Sequence, residues 1–182
     1  EPNLKLESIF YAGNTGRPQN ISSFINFFND QFPQNWNFEL YGSGQEFESL
    51  SKFSKKNINI HDYLPREDLE EKVQEIPYAL ICLDYEITIE GFPGKTFDYL
   101  NMNKILINFS NPNSAVSKLI DKYELGFNID LKKPEKLETT LQQMKNLEKV
   151  NQILENISSF QQNISNKEIV STKYSNLIRS SS

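Results

Sequence analysis

Short apolar runs alternate along this chain with segments whose apolar residues recur every three or four positions, and that alternation defines the elements. Ser8 to Gly13 reads as a first strand, Asn37 to Gly42 as a second and Asn57 to Ile60 as a short third. Tyr78 to Leu83, Lys104 to Phe109 and Gly126 to Ile129 follow as further strands. Helical patterns lie between them. Ile21, Phe24, Ile25 and Phe28 share one helix face, and Val116, Leu119, Ile120 and Tyr123 share another. Phe47 to Phe53 and Thr96 to Met102 read as helices as well. Pro65 fits the first turn of a helix running to about Glu75, with Glu67 and Asp68 suited to its positive end.

Strand and helix in regular alternation predict parallel βαβ units. The run from Tyr78 to Leu83 is apolar throughout, as expected of a strand covered on both faces. The expected fold class is α/β: a Rossmann-like three-layer domain with a parallel sheet, followed by C-terminal helices. Residues 1–133 are expected to form the ligand-binding core. From Pro134 the pattern changes, and Leu137, Leu141, Met144, Leu147, Val150, Ile153, Ile157 and Phe160 recur at helical spacing. Residues 134–182 are therefore expected to be a helical segment packing on that core. Ser165-Asn166-Lys167-Glu168 has the form of a capping box for a final helix.

Composition narrows the chemistry. A chain of 182 residues is long enough for one domain with a real core. Its net charge of −5 argues against a general nucleic-acid binder, which needs a basic face. No run approaches the roughly 20 apolar residues of a membrane span. Cys82, the single cysteine, cannot form an intrachain disulfide and reads as a small core residue, so a cytoplasmic location is expected. His61 is the single histidine, which leaves His-based metal sites and Ser-His-Asp triads almost nothing to work with. No Asp-x-Asp pair occurs, so no metal ligands are assigned. The chain opens Glu1-Pro2-Asn3 and reads as a fragment of something larger.

Doubly wound sheets bind ligands at the carboxyl ends of their strands. That rule gathers the loops after Gly13, Gly42, Ile60 and Leu83 at one edge. After the first strand, Gly13-Asn14-Thr15-Gly16-Arg17 pairs two glycines that let backbone approach a ligand with an arginine suited to phosphate. An ordinary βα turn with an exposed arginine would read the same way. After the second strand, Gly42-Ser43-Gly44 is a lone Gly-x-Gly. Position 47 is Phe, so the dinucleotide fingerprint is incomplete and no NAD is inferred.

The loop after the fourth strand is the most informative. It reads Glu90-Gly91-Phe92-Pro93-Gly94-Lys95-Thr96-Phe97-Asp98 and opens a helix. A P-loop would need its first glycine at Ile89, so that motif is absent. Backbone amides and the positive helix end still suit a phosphate. Lys95 either assists or is a solvated helix residue. Glu90 and Asp98, acids with seven residues between them, suit sugar hydroxyls.

Taken in order, these segments resemble the C-terminal, donor-nucleotide-binding domain of GT-B-fold glycosyltransferases of the group 1 type, close to their large retaining group. The matching stretches are Tyr11 to Gly16, Phe38 to Gly44, Asn59 to Leu69, Glu90 to Lys95 and Thr96 to Ile107. The resemblance implies a metal-independent glycosyltransferase whose substrate is a nucleoside-diphosphate sugar, with no separate cofactor. It implies that Glu90 lies near the donor sugar as the catalytic acid residue and that Asp98 binds the ribose hydroxyls. Asp stands there where Glu is usual, one methylene shorter. Asn14 sits where an arginine is expected, and Arg17 is its substitute. The nucleobase is expected at Asp62, Tyr63 and Leu64. Gly13, Gly16, Gly42, Gly44 and the run Gly91, Phe92, Pro93, Gly94, Lys95 and Thr96 complete the donor site. The implied partner is an N-terminal acceptor domain of the same parent chain, which would also carry any peripheral membrane association. Other readings are a non-catalytic module of the same fold serving as partner or scaffold, a sugar-nucleotide epimerase, and a purely structural α/β domain.

Overall fold

The computed structural model describes residues 3–17, 19–53, 56–86 and 91–164. Six strands form one sheet: β1 (Ser8–Asn14), β2 (Asn37–Ser43), β3 (Ile58–Asp62), β4 (Tyr78–Cys82), β5 (Ile105–Phe109) and β6 (Gly126–Ile129). Their order is β3-β2-β1-β4-β5-β6, and the five pairings are all parallel. This is a doubly wound Rossmann-like arrangement, and its switch point falls between β1 and β4.

Helices cover both faces. α1 (Ile21–Gln31) buries Ile21, Phe24, Ile25, Phe27 and Phe28. The Phe24 ring lies 5.1 Å from that of Phe38 on β2 and 5.3 Å from that of Phe109 on β5. One helix face thus bridges both halves of the sheet, and each fully buried ring contributes roughly 1.5–3 kcal/mol through burial. α4 (Lys95–Asn101) buries Thr96, Tyr99 and Leu100. α5 (Ala115–Tyr123) starts on Ser114, whose hydroxyl accepts the Ser117 N–H at 3.1 Å, and buries Val116, Leu119 and Ile120.

The C-terminal part forms α6 (Leu137–Met144) after a 3-10 turn at Pro134–Lys136, then α7 (Leu147–Ile164). Both pack on the sheet layer. The Tyr78 hydroxyl donates to the Met144 carbonyl, the Gln161 amide donates to the Leu100 carbonyl, and Phe160 meets Tyr123 edge-on at 5.0 Å. The capping-box sequence Ser165 to Glu168 lies outside the described residues.

Two helices are shorter than their patterns imply. Only Leu50 is buried in α2 (Phe47–Leu50), too little apolar contact to sustain a longer helix, and Ser51–Phe53 continues as a 3-10 turn. α3 (Arg66–Lys72) follows Pro65 as its cap and stops short of Glu75. Ile76 precedes Pro77, which biases it to extended backbone. The end of α3 is held instead by Lys104. Its ammonium donates to the carbonyls of Val73 at 2.6 Å, Ile76 at 2.9 Å and Gln74 at 3.3 Å. Burial lowers the pKa of this lysine to about 8.

The ladders are unequal. β1 pairs with β2 through seven positions, from Ser8↔Asn37 to Asn14↔Ser43. It pairs with β4 through only two, Ile9↔Tyr78 and Phe10↔Ala79, and the strands then part. Ala12 lies beyond the parting, yet its backbone is satisfied. Its N–H donates to the Tyr99 hydroxyl at 2.9 Å, and that hydroxyl donates to the Ala12 carbonyl at 3.0 Å. A phenol from α4 thus occupies the ladder position that β4 leaves, steadied by edge-on contact of its ring with Phe10 at 5.3 Å.

Two outcomes follow for stability. Tyr99→Phe removes both bonds to Ala12 and leaves a part-buried N–H unpaired, so urea unfolding should show a loss of about 1–3 kcal/mol, with faster amide exchange at Ala12 than elsewhere in β1. Lys104→Met leaves three carbonyls at the end of α3 without their donor. It should lose about 2–4 kcal/mol by the same measurement.

Candidate functional site

All six strands point the same way, so the loops after β1, β2, β3 and β4 emerge at one edge of the sheet. The β1 and β2 turns interlock there. Thr15 is buried, and its N–H and hydroxyl both donate to the Ser43 carbonyl, at 2.9 and 3.1 Å. The Asn14 side chain folds back to accept the Gly16 N–H at 3.0 Å. A Cβ at Gly44 would fall 2.3 Å from Asn14 Oδ1, and Gly44 holds φ +119°. Gly42 and Gly44 are therefore the residues that let the two turns close on each other. Gly13 is set apart by φ +131°, a conformation that side chains rarely tolerate.

Lys95 is the cation at this edge. It begins α4, but its ammonium reaches back to the end of β1. Nζ donates to the Tyr11 hydroxyl and, at 3.3 Å, to the Ala12 carbonyl. It also stands 3.7 Å from the centre of the Tyr11 ring. The Tyr11 hydroxyl in turn donates to the Asn14 carbonyl, so a chain of polar contacts runs from Lys95 into the β1 turn. Burial lowers the pKa of Lys95 to about 8, opposed by the nearby Cys82 and Asp98. Burial raises the Tyr11, Tyr99 and Cys82 pKa values, keeping these groups protonated. Next to Lys95, Thr96 is fully buried and its hydroxyl has no hydrogen-bond partner among the described residues.

The remaining predicted residues fall into two groups. Asp98 is exposed on the first turn of α4, and its field reaches Arg66, the first residue of α3. Arg66 itself pairs with Glu70 at 2.7 Å, and that hydrogen bond is the larger cause of its raised pKa. At the end of β3 and in the loop after it, Asp62 is exposed, Tyr63 is 60% exposed and Leu64 is half-buried. Gly91, Phe92 and Pro93 are half-buried and Gly94 is exposed, with open space around any Cβ there. Arg17 is exposed and makes no hydrogen bond or ion pair among the described residues, so it does not join the cluster around Lys95. Glu90 lies outside the described residues.

Several residues at the edge carry no warning in the sequence. Tyr11 and Tyr99 look like core aromatics, and their rings are indeed buried; only the register of β1 against α4 shows what their hydroxyls do. Asp84, just past β4, accepts from the Asn20 amide at 3.0 Å, and Asn20 accepts from the Ser23 hydroxyl at 2.8 Å. They line a small cavity of about 60 Å³ with Leu83, Phe109 and Ser110. A larger groove of about 680 Å³ lies at the opposite edge, among Leu4, Leu6, Gln74, Met102, Lys104 and Leu154. It is remote from the strands' carboxyl ends, where folds of this type bind ligands. Among the described residues, no three His, Cys, Asp or Glu side chains gather where they could hold a metal ion, and no helix is long and apolar enough to cross a membrane.

No protein-family model and no curated protein sequence matches the chain. Solved structures do. The catalytic domain of a cholesterol-alpha-glucosyltransferase from Helicobacter pylori superposes with a TM-score of 0.64 at 13% identity, covering 84% of this chain and 95% of that one. TarM from S. aureus, crystallised with fondaparinux, alpha-GlcNAc-glycerol and UDP, also gives 0.64 at 15% identity. That match covers 98% of this chain but 36% of TarM, so the chain spans about a third of that protein. The C-terminal domain of a glycosyl transferase group 1 family protein from Francisella tularensis gives 0.60 at 12% identity, covering 88% and 85%. The chain has the Rossmann-like fold of GT-B glycosyltransferase domains.

Proposed function

We propose that this chain is the donor-binding half of a glycosyltransferase, holding a nucleoside-diphosphate sugar at the carboxyl edge of its sheet. The observation that carries this reading is the convergence, where β1 and β4 part, of a glycine turn, a half-buried ammonium and the loop that opens α4. In sugar transfer the bond from the anomeric carbon to the diphosphate oxygen breaks, and that oxygen keeps the electron pair. Charge then grows on the leaving nucleoside diphosphate, and fixed donors aimed at it lower the barrier. Backbone groups of Gly13 to Gly16 and Gly91 to Thr96 would cradle the diphosphate. Asp98 would accept from the ribose hydroxyls, Asp62 to Leu64 would meet the base, and Glu90 would face the donor sugar.

In this reading the donor is held without a metal ion. The acceptor, a glycan or similar alcohol, and the group that takes its proton belong to an N-terminal domain of the parent chain. We place the reaction in cytoplasmic polysaccharide biosynthesis, with any membrane attachment made through that domain. By itself this chain binds donor and transfers no sugar. Asn14, in place of a basic residue in the β1 turn, is the observation that favours a non-catalytic scaffold instead, and donor binding separates the two.

Calorimetric titration with UDP, GDP and ADP and their sugars, with and without Mg²⁺, tests the proposal. One nucleotide should bind with an affinity indifferent to Mg²⁺. Asp98→Ala should weaken it about tenfold or more, the loss of a charged hydrogen-bond acceptor. Glu90→Ala should weaken the nucleotide sugar but not the free diphosphate. A folded chain that binds none of these ligands would refute the donor-binding reading.

A further inference from the structure

We infer that Lys95, reaching from the loop after β4 into the end of β1, is the cation that neutralises the donor's diphosphate, and that Gly13 is the window through which the diphosphate meets it. The inference rests on the donor-binding reading and names the charge at its centre.

An ammonium has three N–H donors. Lys104, which is buried, and Lys95, which is half-buried, use them differently. Lys104, at the amino edge of the sheet, meets three carbonyls, those of Val73, Gln74 and Ile76. Lys95, at the carboxyl edge, meets two acceptors among the described residues, the Tyr11 hydroxyl and the Ala12 carbonyl. Both acceptors are neutral. The titratable groups facing it are Tyr11 from β1, Cys82 from β4, and Tyr99 and Asp98 from α4. The first three stay protonated, and Asp98 forms no ion pair with it. A half-buried cation without a counter-charge is unfavourable, and an anion supplied by a ligand relieves that.

Access is set by one residue. A Cβ built on Gly13 would lie 3.1 Å from Lys95 Nζ and 3.7 Å from its Cε. Lys95 therefore packs directly over Gly13, where a larger residue would stand against the ammonium, at the point where β1 and β4 separate. A second observation is Thr96, the residue after Lys95, whose fully buried hydroxyl has no hydrogen-bond partner among the described residues. The β1 turn itself supplies no competing cation here, because position 14 is Asn and Arg17 points its charge to solvent.

The test measures Kd for inorganic pyrophosphate, for the nucleoside diphosphate that binds best, and for the matching nucleoside. Lys95→Met should weaken both anions about ten- to a hundredfold and leave the nucleoside unchanged. In the unaltered protein the charged form of Lys95 is the binding form. Anion affinity should hold below pH 8 and fall as pH rises above it, by up to about tenfold per unit. Lys95→Arg, which stays charged, should abolish that fall. If the methionine variant does not fold, the pH profile and the arginine variant decide. Nucleoside diphosphate binding that is unaffected by Lys95→Met, or flat between pH 7 and 9.5, overturns this inference and leaves the donor reading standing. Failure of the unaltered protein to bind any of the anions overturns both.

Discussion

The parting of β1 from β4 after two ladder positions is the constraint on which the rest of this structure depends. In a doubly wound sheet the two central strands lead their following helices to opposite faces, so a crevice opens between them at their carboxyl ends. That crevice exposes backbone groups of β1 that would otherwise be paired. Here the hydroxyl of Tyr99 closes on Ala12 and the ammonium of Lys95 closes on the same carbonyl. Both side chains come from α4, which means that α4 is docked by the polar needs of β1 as well as by its apolar face. The position of the loop before α4 follows from that docking, and so does the position of every residue it carries.

The electrostatic character of the edge comes from the same geometry. A chain of net charge −5 has no general affinity for anions. One half-buried ammonium, set among polar groups of β1, is screened less by solvent than a fully exposed charge. The aromatic face of Tyr11 beneath it stabilises the charge without neutralising it. Asp98 lies within electrostatic reach of Arg66 at the start of α3.

Much of this was legible in the sequence. The six strands follow from short apolar runs, and α1 and α5 from phenylalanines, leucines and isoleucines at three- and four-residue spacing, because burial on one face is what those patterns encode. The glycine turns after β1 and β2 were readable too. Their reasons were only partly so: Gly44 makes room for the Asn14 side chain, a contact between two loops that no local pattern specifies. The contacts of Tyr11 and Tyr99 were hidden for a similar reason. A tyrosine in an apolar strand or helix has an ordinary local explanation, and its hydroxyl acquires meaning only from strand separation; Lys95 was named from its loop, but its reach back to β1 was not. Arg17 drew attention as the basic residue nearest the turn in sequence and is exposed, while Lys95 reaches the end of β1 from across the switch point. The ends of α2 and α3 shifted because tertiary contacts, too few apolar ones for α2 and Lys104 for α3, override helical propensity.

The most direct test of the account is to map where a nucleoside diphosphate binds, by following backbone amide resonances of the chain during titration. The account predicts shifts concentrated at Ala12 to Gly16, Gly44, Asp62 to Leu64 and Gly94 to Asp98, all at the carboxyl edge of the sheet. Shifts confined to the groove at the opposite edge, at Leu4, Leu6, Gln74 and Asn151, would contradict it.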